Sequence, residues 1–411
     1  MTFKTTLLAT AALLMAGCGA SDTPPADTAA PTPLTPAQIH DQILTLDTHI
    51  DIPLTYMTEI DPSGPTELQV DLPKLTEGRL DSGFWIVYTP QGELTPEGYA
   101  AAGAIAQTRL TAIEQLTQVH GADFELARTA DDVRRIVSGG KHAVLIGMEN
   151  AYPLGDSVAD VPVMAARGVR YMGVTHFGHN QFGDSSNADP VRDEGPKWNG
   201  LSPLGRDLVA ALNDNGIMVD VSHAGKATMM QAAEISRTPI IASHSGAKAV
   251  SDSLRNLDDE QLRKIRDVGG VAQMVALGVY VKVQTPEQLA ALDALGQRFG
   301  ISSRPDYEAL SEEDKLVVDQ ERDRIIATEP LATVSDFVDH IDHAVKIAGI
   351  DHVGIASDFD GGGGIIGWKD ASQTANVTAE LLRRDYSEQD IAKIWGGNLL
   401  RVLSIVEADA K

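Results

Sequence analysis

Two short runs, GIMVDVSH (216–223) and PIIASHS (239–245), each end in a polar step and a histidine, His223 and His244. An imidazole in that place can hold a divalent cation or move a proton, and just as readily it can be an ordinary hydrogen-bonded side chain. Other segments end in the same manner. LDTHIDIP carries His49 and Asp51 two residues apart, a spacing that in an extended strand sends imidazole and carboxylate to one side. HAVLIGME (142–149) ends in Glu149, which could cap a following helix or bridge two metals. VRYMGVT (169–175) runs into His176, and HVGIASD (352–358) delivers Asp358 into the glycine run FDGGGG. SDSLRN (251–256) adds Arg255, a cation suited to holding a carboxylate, although most arginines are solvated. Imidazole and carboxylate without thiolate suit Zn²⁺ or a similar divalent ion. More such groups converge than one tetrahedral zinc needs, which suits a metal pair sharing a bridging carboxylate and an activated water.

For these residues to meet, each must stand at the C-terminal end of a parallel strand. The 216–245 stretch reads as one β-α-β unit, with residues 224–236 as the crossover helix. Further strands are expected within 43–53 and at 82–88, 142–149, 169–175, 270–277 and 352–358. Helical segments fall at 37–44, 94–119, 130–138, 204–214, 334–348, 371–384 and 388–407. Eight strands alternating with helices predict a (β/α)₈ barrel, TIM-like and of the metal-dependent hydrolase type, in a single domain. An open doubly wound sheet would need a dinucleotide or phosphate fingerprint, which the sequence lacks. Residues 285–329, dense in charge and leucine, read as a helical insertion at the barrel mouth or rim, with no chemistry assigned. His179, His340 and His343 read as ordinary structural or solvated residues. The glycines past Asp358 would let backbone approach a ligand closely.

The formal net charge of -25 excludes a nucleic-acid partner, which would be repelled on approach. Residues 1–17 read as a lipoprotein signal peptide closing on LMAGC, whose Cys18 is the lipidation candidate and the single cysteine of the chain. An internal disulfide is therefore excluded. Residues 18–36, rich in Pro, Thr, Ala and Asp, read as a flexible tether, leaving 37–411 as the folded domain. The expected location is across the bacterial inner membrane, lipid-anchored and facing the periplasm.

Several segments together resemble the membrane (renal-type) dipeptidases, zinc dipeptidases of the amidohydrolase-like barrel class. They are LDTHIDIP, VDLPKLTEGRLDSGFWIVYTP, the strand ending GMEN, RYMGVTHFGHN, GLSPLGRDLVAALNDNGIMVDVSHAGKATM, PIIASHSGAKAVSDSLRN, VGIASDFDGG and WGGNLLRVL. The resemblance runs from about residue 39 to 403. It implies two Zn²⁺ per chain, one held by His49 and Asp51, the other by His223 and His244, with Glu149 between them. It further implies that His176 contacts the substrate carbonyl and stabilises the oxyanion, that Arg255 holds the substrate carboxylate, and that Asp358 handles the proton of the attacking water. The implied activity is hydrolysis of dipeptides, L-Xaa-L-Xaa and L-Xaa-D-Xaa, by a metal-bound hydroxide, and the implied assembly a homodimer. The alternatives are another metal-dependent amidohydrolase cleaving a lactam, a lactone or an N-acyl amino acid, or an inactive anchored binding barrel. Asn150-Ala151-Tyr152 replaces a small, Gly-rich continuation usual in relatives, and the 285–329 insertion is longer than expected.

Overall fold

The computed structural model describes residues 34–411 apart from 190–191, 302–305, 308–309 and 329–330. The signal peptide, Cys18 and nearly all of the tether expected from the sequence lie outside the described residues. Parallel strands β1 (Leu46–Ile50), β2 (Ser82–Tyr88), β4 (His142–Glu149), β5 (Val169–Gly173), β6 (Met218–Asp220), β7 (Ile241–Ser245), β8 (Val271–Val275) and β9 (Val353–Ala356) neighbour one another in that order. The ring closes between its first and last strands: Asp51 N–H donates to Phe359 O at 2.9 Å and Asp358 N–H to His49 O at 3.1 Å. The eight-stranded barrel expected from the sequence is therefore the fold, a TIM-type barrel. One strand was not foreseen: β3 (Phe124–Leu126) pairs with β4 outside the ring. Three residues are too few to show a period of two.

Helix starts are written locally in the chain. Thr129, Asp258, Thr285, Thr333 and Ser387 each form a capping box with the residue three positions on. Thr95 and Ser202 cap helices whose first residue is proline, a position that needs no N–H. Strand interiors alternate between two packing layers. Leu46, Phe84, Ile86, Leu145, Tyr171, Met218 and Ile241 share one buried cluster with Leu399, Leu400 and Leu403 of the helix Asn398–Asp409. Trp85, Val87, Val144 and Ile146 pack with the surrounding helices in the other. Burial of this extent, at roughly 25 cal/mol per Å² of apolar surface, fixes the barrel as the platform for its strand ends.

Most ladders are shorter than the apolar runs that announced them. The run 216–223 contributes only Met218–Asp220 to the sheet, and 352–358 only Val353–Ala356. Past each ladder the backbone turns left-handed at the site residue: His223 and Asp358 have φ of 67° and 60°. Such left-handed backbone is costly without glycine and persists where surrounding contacts impose it. The insertion supplies the helices Pro286–Phe299 and Glu312–Ile326.

Candidate metal centre

Glu149, the last residue of β4, stands at the centre of the strand ends, fully enclosed except for 4% of its surface. Its two oxygens face different groups. Oε1 lies 2.9 Å from His223 Nε2 and 3.2 Å from His244 Nε2, while Oε2 lies 3.7 Å from His49 Nε2. His49 Nε2 is also 3.4 Å from Asp51 Oδ2 and 3.9 Å from Asp358 Oδ1. His176 Nε2 approaches Glu149 Oε1 from the rim at 3.8 Å. Three groups could each hold an ion: His49, Glu149 and His244; Glu149, His176 and His223; His49, Asp51 and Asp358. All seven candidates from the strand ends thus fall in one cluster. The last group also brings Asp358, whose expected part was proton transfer, within reach of an ion.

The environment dictates which imidazole nitrogen is free. Tyr171 donates its hydroxyl hydrogen to Thr48 O at 3.1 Å, so at 3.0 Å it can only accept from His49 Nδ1–H. Ser243 donates to Asp220 Oδ2 at 2.7 Å and accepts from His244 Nδ1–H at 2.8 Å. His244 therefore aims a lone pair from Nε2 at the Glu149 carboxylate, whereas His49, which burial would lower but Glu149 and Asp51 raise well above the usual histidine range, holds on Nε2 a proton that a cation there would replace. His223 Nε2 and His244 Nε2 sit 2.9 Å apart. Lone pairs and carboxylates packed together in this way repel unless a cation lies among them, and the N/O donor set suits a zinc-like ion. The residues present therefore fit a metal.

The electrostatics agree. Burial, with Arg255 and His176 nearby, holds His223 well below the usual histidine range, and burial with His49 does the same to His244, so both are neutral. Burial alone would raise the Glu149 carboxyl, but His176, His49 and the hydrogen bonds of His223 and His244 outweigh it and keep it well below its usual value. Asp358 is pushed well above the carboxylate range by burial, against the pull of His49, with Asp51 and Glu149 adding to the rise.

Arg255, 3% exposed, sits behind this group. It donates from Nη2 to His244 O at 3.0 Å and from Nη1 to Ser245 Oγ at 3.4 Å, and lies over the Tyr280 ring at 5.3 Å. Among the described residues no carboxylate pairs with it, and its Nε has no partner. A buried cation left uncompensated is a strong request for an anion. His176 is walled by Tyr88 and Phe177, at ring distances of 4.9 and 4.6 Å.

Sequence reading missed the residues that orient these groups. Asp47 Oδ1 accepts from His49 N and Ser357 N, and Asp220 Oδ1 from Ser222 N and Ser243 N, so each carboxylate pins two neighbouring strand ends. Burial pushes the Asp47 carboxyl up to about 6. The signal was a carboxylate inside an apolar strand, in LTLDTH and IMVDVS. The unusual Asn150 adopts φ 76°, accepts on Oδ1 from Tyr152 N and Asn180 Nδ2, and donates to Thr89 O, tying three loops behind Glu149. The histidines read as ordinary are so: His340 accepts from Ala247 N at 2.8 Å and bonds Val281 O, His179 accepts from Ser185 N at 3.0 Å, and His343 meets Asp259 at 2.7 Å.

Residues 35–411 match the family model described as membrane dipeptidase, peptidase family M19. The dipeptidase tcpJ of Claviceps purpurea is 31% identical over 343 residues, covering 82% of this chain and 69% of the relative. The crystal structure of the probable dipeptidase PvdM from Pseudomonas aeruginosa is 38% identical, with a TM-score of 0.82 over 91% of this chain and 98% of that one. A Rhodobacter sphaeroides metallo peptidase liganded with a phosphinate mimic of the dipeptide L-Ala-D-Ala shares the fold, with 23% identity and a TM-score of 0.69 over 89% of this chain and 99% of that one.

Proposed function

The chain belongs to the membrane dipeptidase family, peptidase family M19, and from that premise we propose that it is a dipeptidase working with two Zn²⁺ ions on L-Xaa-L-Xaa and L-Xaa-D-Xaa substrates. Metal-dependent hydrolysis of a peptide bond is the family's chemistry. The observation that carries the two-ion reading is the division of the Glu149 carboxylate, one oxygen toward His223 and His244 and the other toward His49. When bound, two such ions supply Lewis acidity and a water acidic enough to ionise near neutrality.

The remaining work falls to side chains of this chain. Arg255 takes the substrate's C-terminal carboxylate, which compensates its buried charge and sets the distance from that end to the scissile bond. His176 donates a hydrogen bond from Nε2 to the carbonyl oxygen as negative charge builds on it. Asp358, ionised once cations offset the Asp51 and Glu149 carboxylates that crowd it, takes the proton of the attacking water and returns it to the leaving amine nitrogen. The L-Ala-D-Ala mimic in the Rhodobacter sphaeroides protein motivates the D residue on the C-terminal side.

Metal analysis of the purified protein, beside hydrolysis of L,L and L,D dipeptides with and without chelator, tests the reading. About two zinc ions per chain and chelator-sensitive cleavage of dipeptides, with tripeptides and N-acylated dipeptides spared, are expected. One ion per chain in a fully active enzyme would overturn the two-ion reading, and turnover of L,L but not L,D substrates would overturn the stereochemical one.

Lipidation at Cys18, exposure to the periplasm and a homodimer are part of the same proposal. Labelled palmitate should enter the wild-type protein and not Cys18→Ser, and sedimentation of the folded domain should give twice the chain mass.

A further inference from the structure

A second cavity lies on the far side of the glycine run that follows β9. It measures about 700 Å³, within the span of small-molecule sites. Leu277, Val279, Val283, Leu292, Ile326 and Ile366 line it, drawn from the segment after β8, the two insertion helices and the glycine loop. Val283 and Ile366 are each 45% exposed and Leu331, also in the wall, 43%, a cluster of apolar surface that soluble proteins rarely leave bare without a use.

The polar lining has one sign. Lys282, Arg322 and Lys369 face the cavity. Arg322 is paired with Asp319 at 3.0 Å, while Lys282 and Lys369 stand exposed at the cavity's edge and make no ion pair with any described carboxylate. The nearest influence is Asp336, which feels the Lys282 charge while spending its own hydrogen bonds on Thr333. In a chain of net charge -25, two cations beside an apolar wall make this edge locally attractive to an anion.

Two walls are common to this cavity and the metal centre. A Cβ on Gly361 would strike Asp51 Oδ2 and Asp358 Oδ1, whereas Gly362, Gly363 and Gly364 line the second cavity. Val279 lines the cavity too, and its neighbour Tyr280 supports Arg255. The partition is held in place by Gln69, whose Nε2 donates to Gly363 O at 3.0 Å and Lys369 O at 2.6 Å.

We propose that this cavity binds a single-chain amphiphile with an anionic head, a fatty-acid-like carboxylate whose tail lies on the apolar wall and whose head is drawn by Lys282 and Lys369. The shared walls make its occupancy perceptible at Arg255 and Asp358.

Calorimetric titration of the full protein with dodecanoate, below its micelle concentration, tests this directly. Saturable one-to-one binding is expected, retained after chelation, with dodecyltrimethylammonium binding far more weakly. The double variant Lys282→Glu, Lys369→Glu should weaken dodecanoate about tenfold or more, and Val283→Trp, which fills the cavity from an exposed position, should weaken it as well. Absence of saturable binding, equal binding of the cationic amphiphile, or indifference to all three substitutions would overturn the proposal. So would a change of oligomeric state in these variants with amphiphile binding intact, which would make the face an interface between copies. Dipeptide turnover in the same titration separates two sources of the ligand: competition with substrate identifies the tail of a longer substrate, and a non-competitive effect identifies a free amphiphile.

Discussion

Each imidazole in the centre is only as good a ligand as the group behind it. Tyr171 and the Ser243–Asp220 pair decide that His49 and His244 turn Nε2, and not Nδ1, to the centre. Tyr171→Phe and Ser243→Ala should therefore lower metal affinity by about 10–100-fold while leaving the folded state intact, as read by competition with a chromophoric chelator. Arg255 separates binding from chemistry. Exchanging it for Ala should raise KM for dipeptides about tenfold or more, since a charge-assisted contact is worth roughly 1.5–3 kcal/mol, with a smaller effect on kcat. An unchanged KM would move the carboxylate contact elsewhere. At this scale the sequence was legible wherever a ligand ended an apolar run, because the type alone was out of place. The supporting hydrogen bonds were not, since a tyrosine or serine within a strand looks like any other strand residue until its partner across the barrel is known.

Elements add what single residues cannot. The run of glycines after β9 was legible as a place of close approach, and the structure gives the reason: any side chain at Gly361 would displace Asp51 and Asp358. Gly361→Ala should accordingly lose metal and activity with little change in the circular dichroism of the barrel. Away from the site, Arg384 fastens the helix Val334–Ala348 to the helix Ala375–Arg383, bonding Asp339 at 2.5 Å, Asp342 at 2.6 Å and Glu380 at 2.9 Å. Its partner Glu380 is held down to about 2 by hydrogen bonds from Arg383 and Arg384, working against burial. A depressed carboxyl stabilises the fold fully above its unfolded value and stops doing so as pH falls toward 2. Glu380→Gln should lose about 1–2 kcal/mol of stability at neutral pH and show a flatter acid limb in denaturation below about pH 4.5. Strand ends were the least legible part, because the apolar pattern continues through Val221, past the last strand residue Asp220 and up to the turn at Ser222 and His223.

On the scale of the molecule, the barrel concentrates buried carboxylates and imidazoles that have little reason to coexist without an ion. Metal bound to the folded state alone stabilises it by RT ln(1 + [L]/Kd), about 4 kcal/mol at a thousandfold excess over Kd. Chelation should therefore lower Tm by several degrees, reversed by adding Zn²⁺; a Tm indifferent to chelator would mean the ions do not contribute to the fold. The overall plan was readable from alternation of apolar runs and helical stretches, which is a property of the whole chain. Closure followed from the count of eight strands, but the bonds that make it did not, because they connect residues with no shared local pattern. Ser357 N–H donates to Asp47 across 310 positions of sequence. That bond sets a schedule for biosynthesis. His49 and Asp51 leave the ribosome early, Asp358 almost last, and until then the first strand keeps an unpaired edge. A nascent or prematurely terminated chain can neither seal the ring nor complete the site, so it offers proteases and chaperones an open sheet in place of a weakened enzyme.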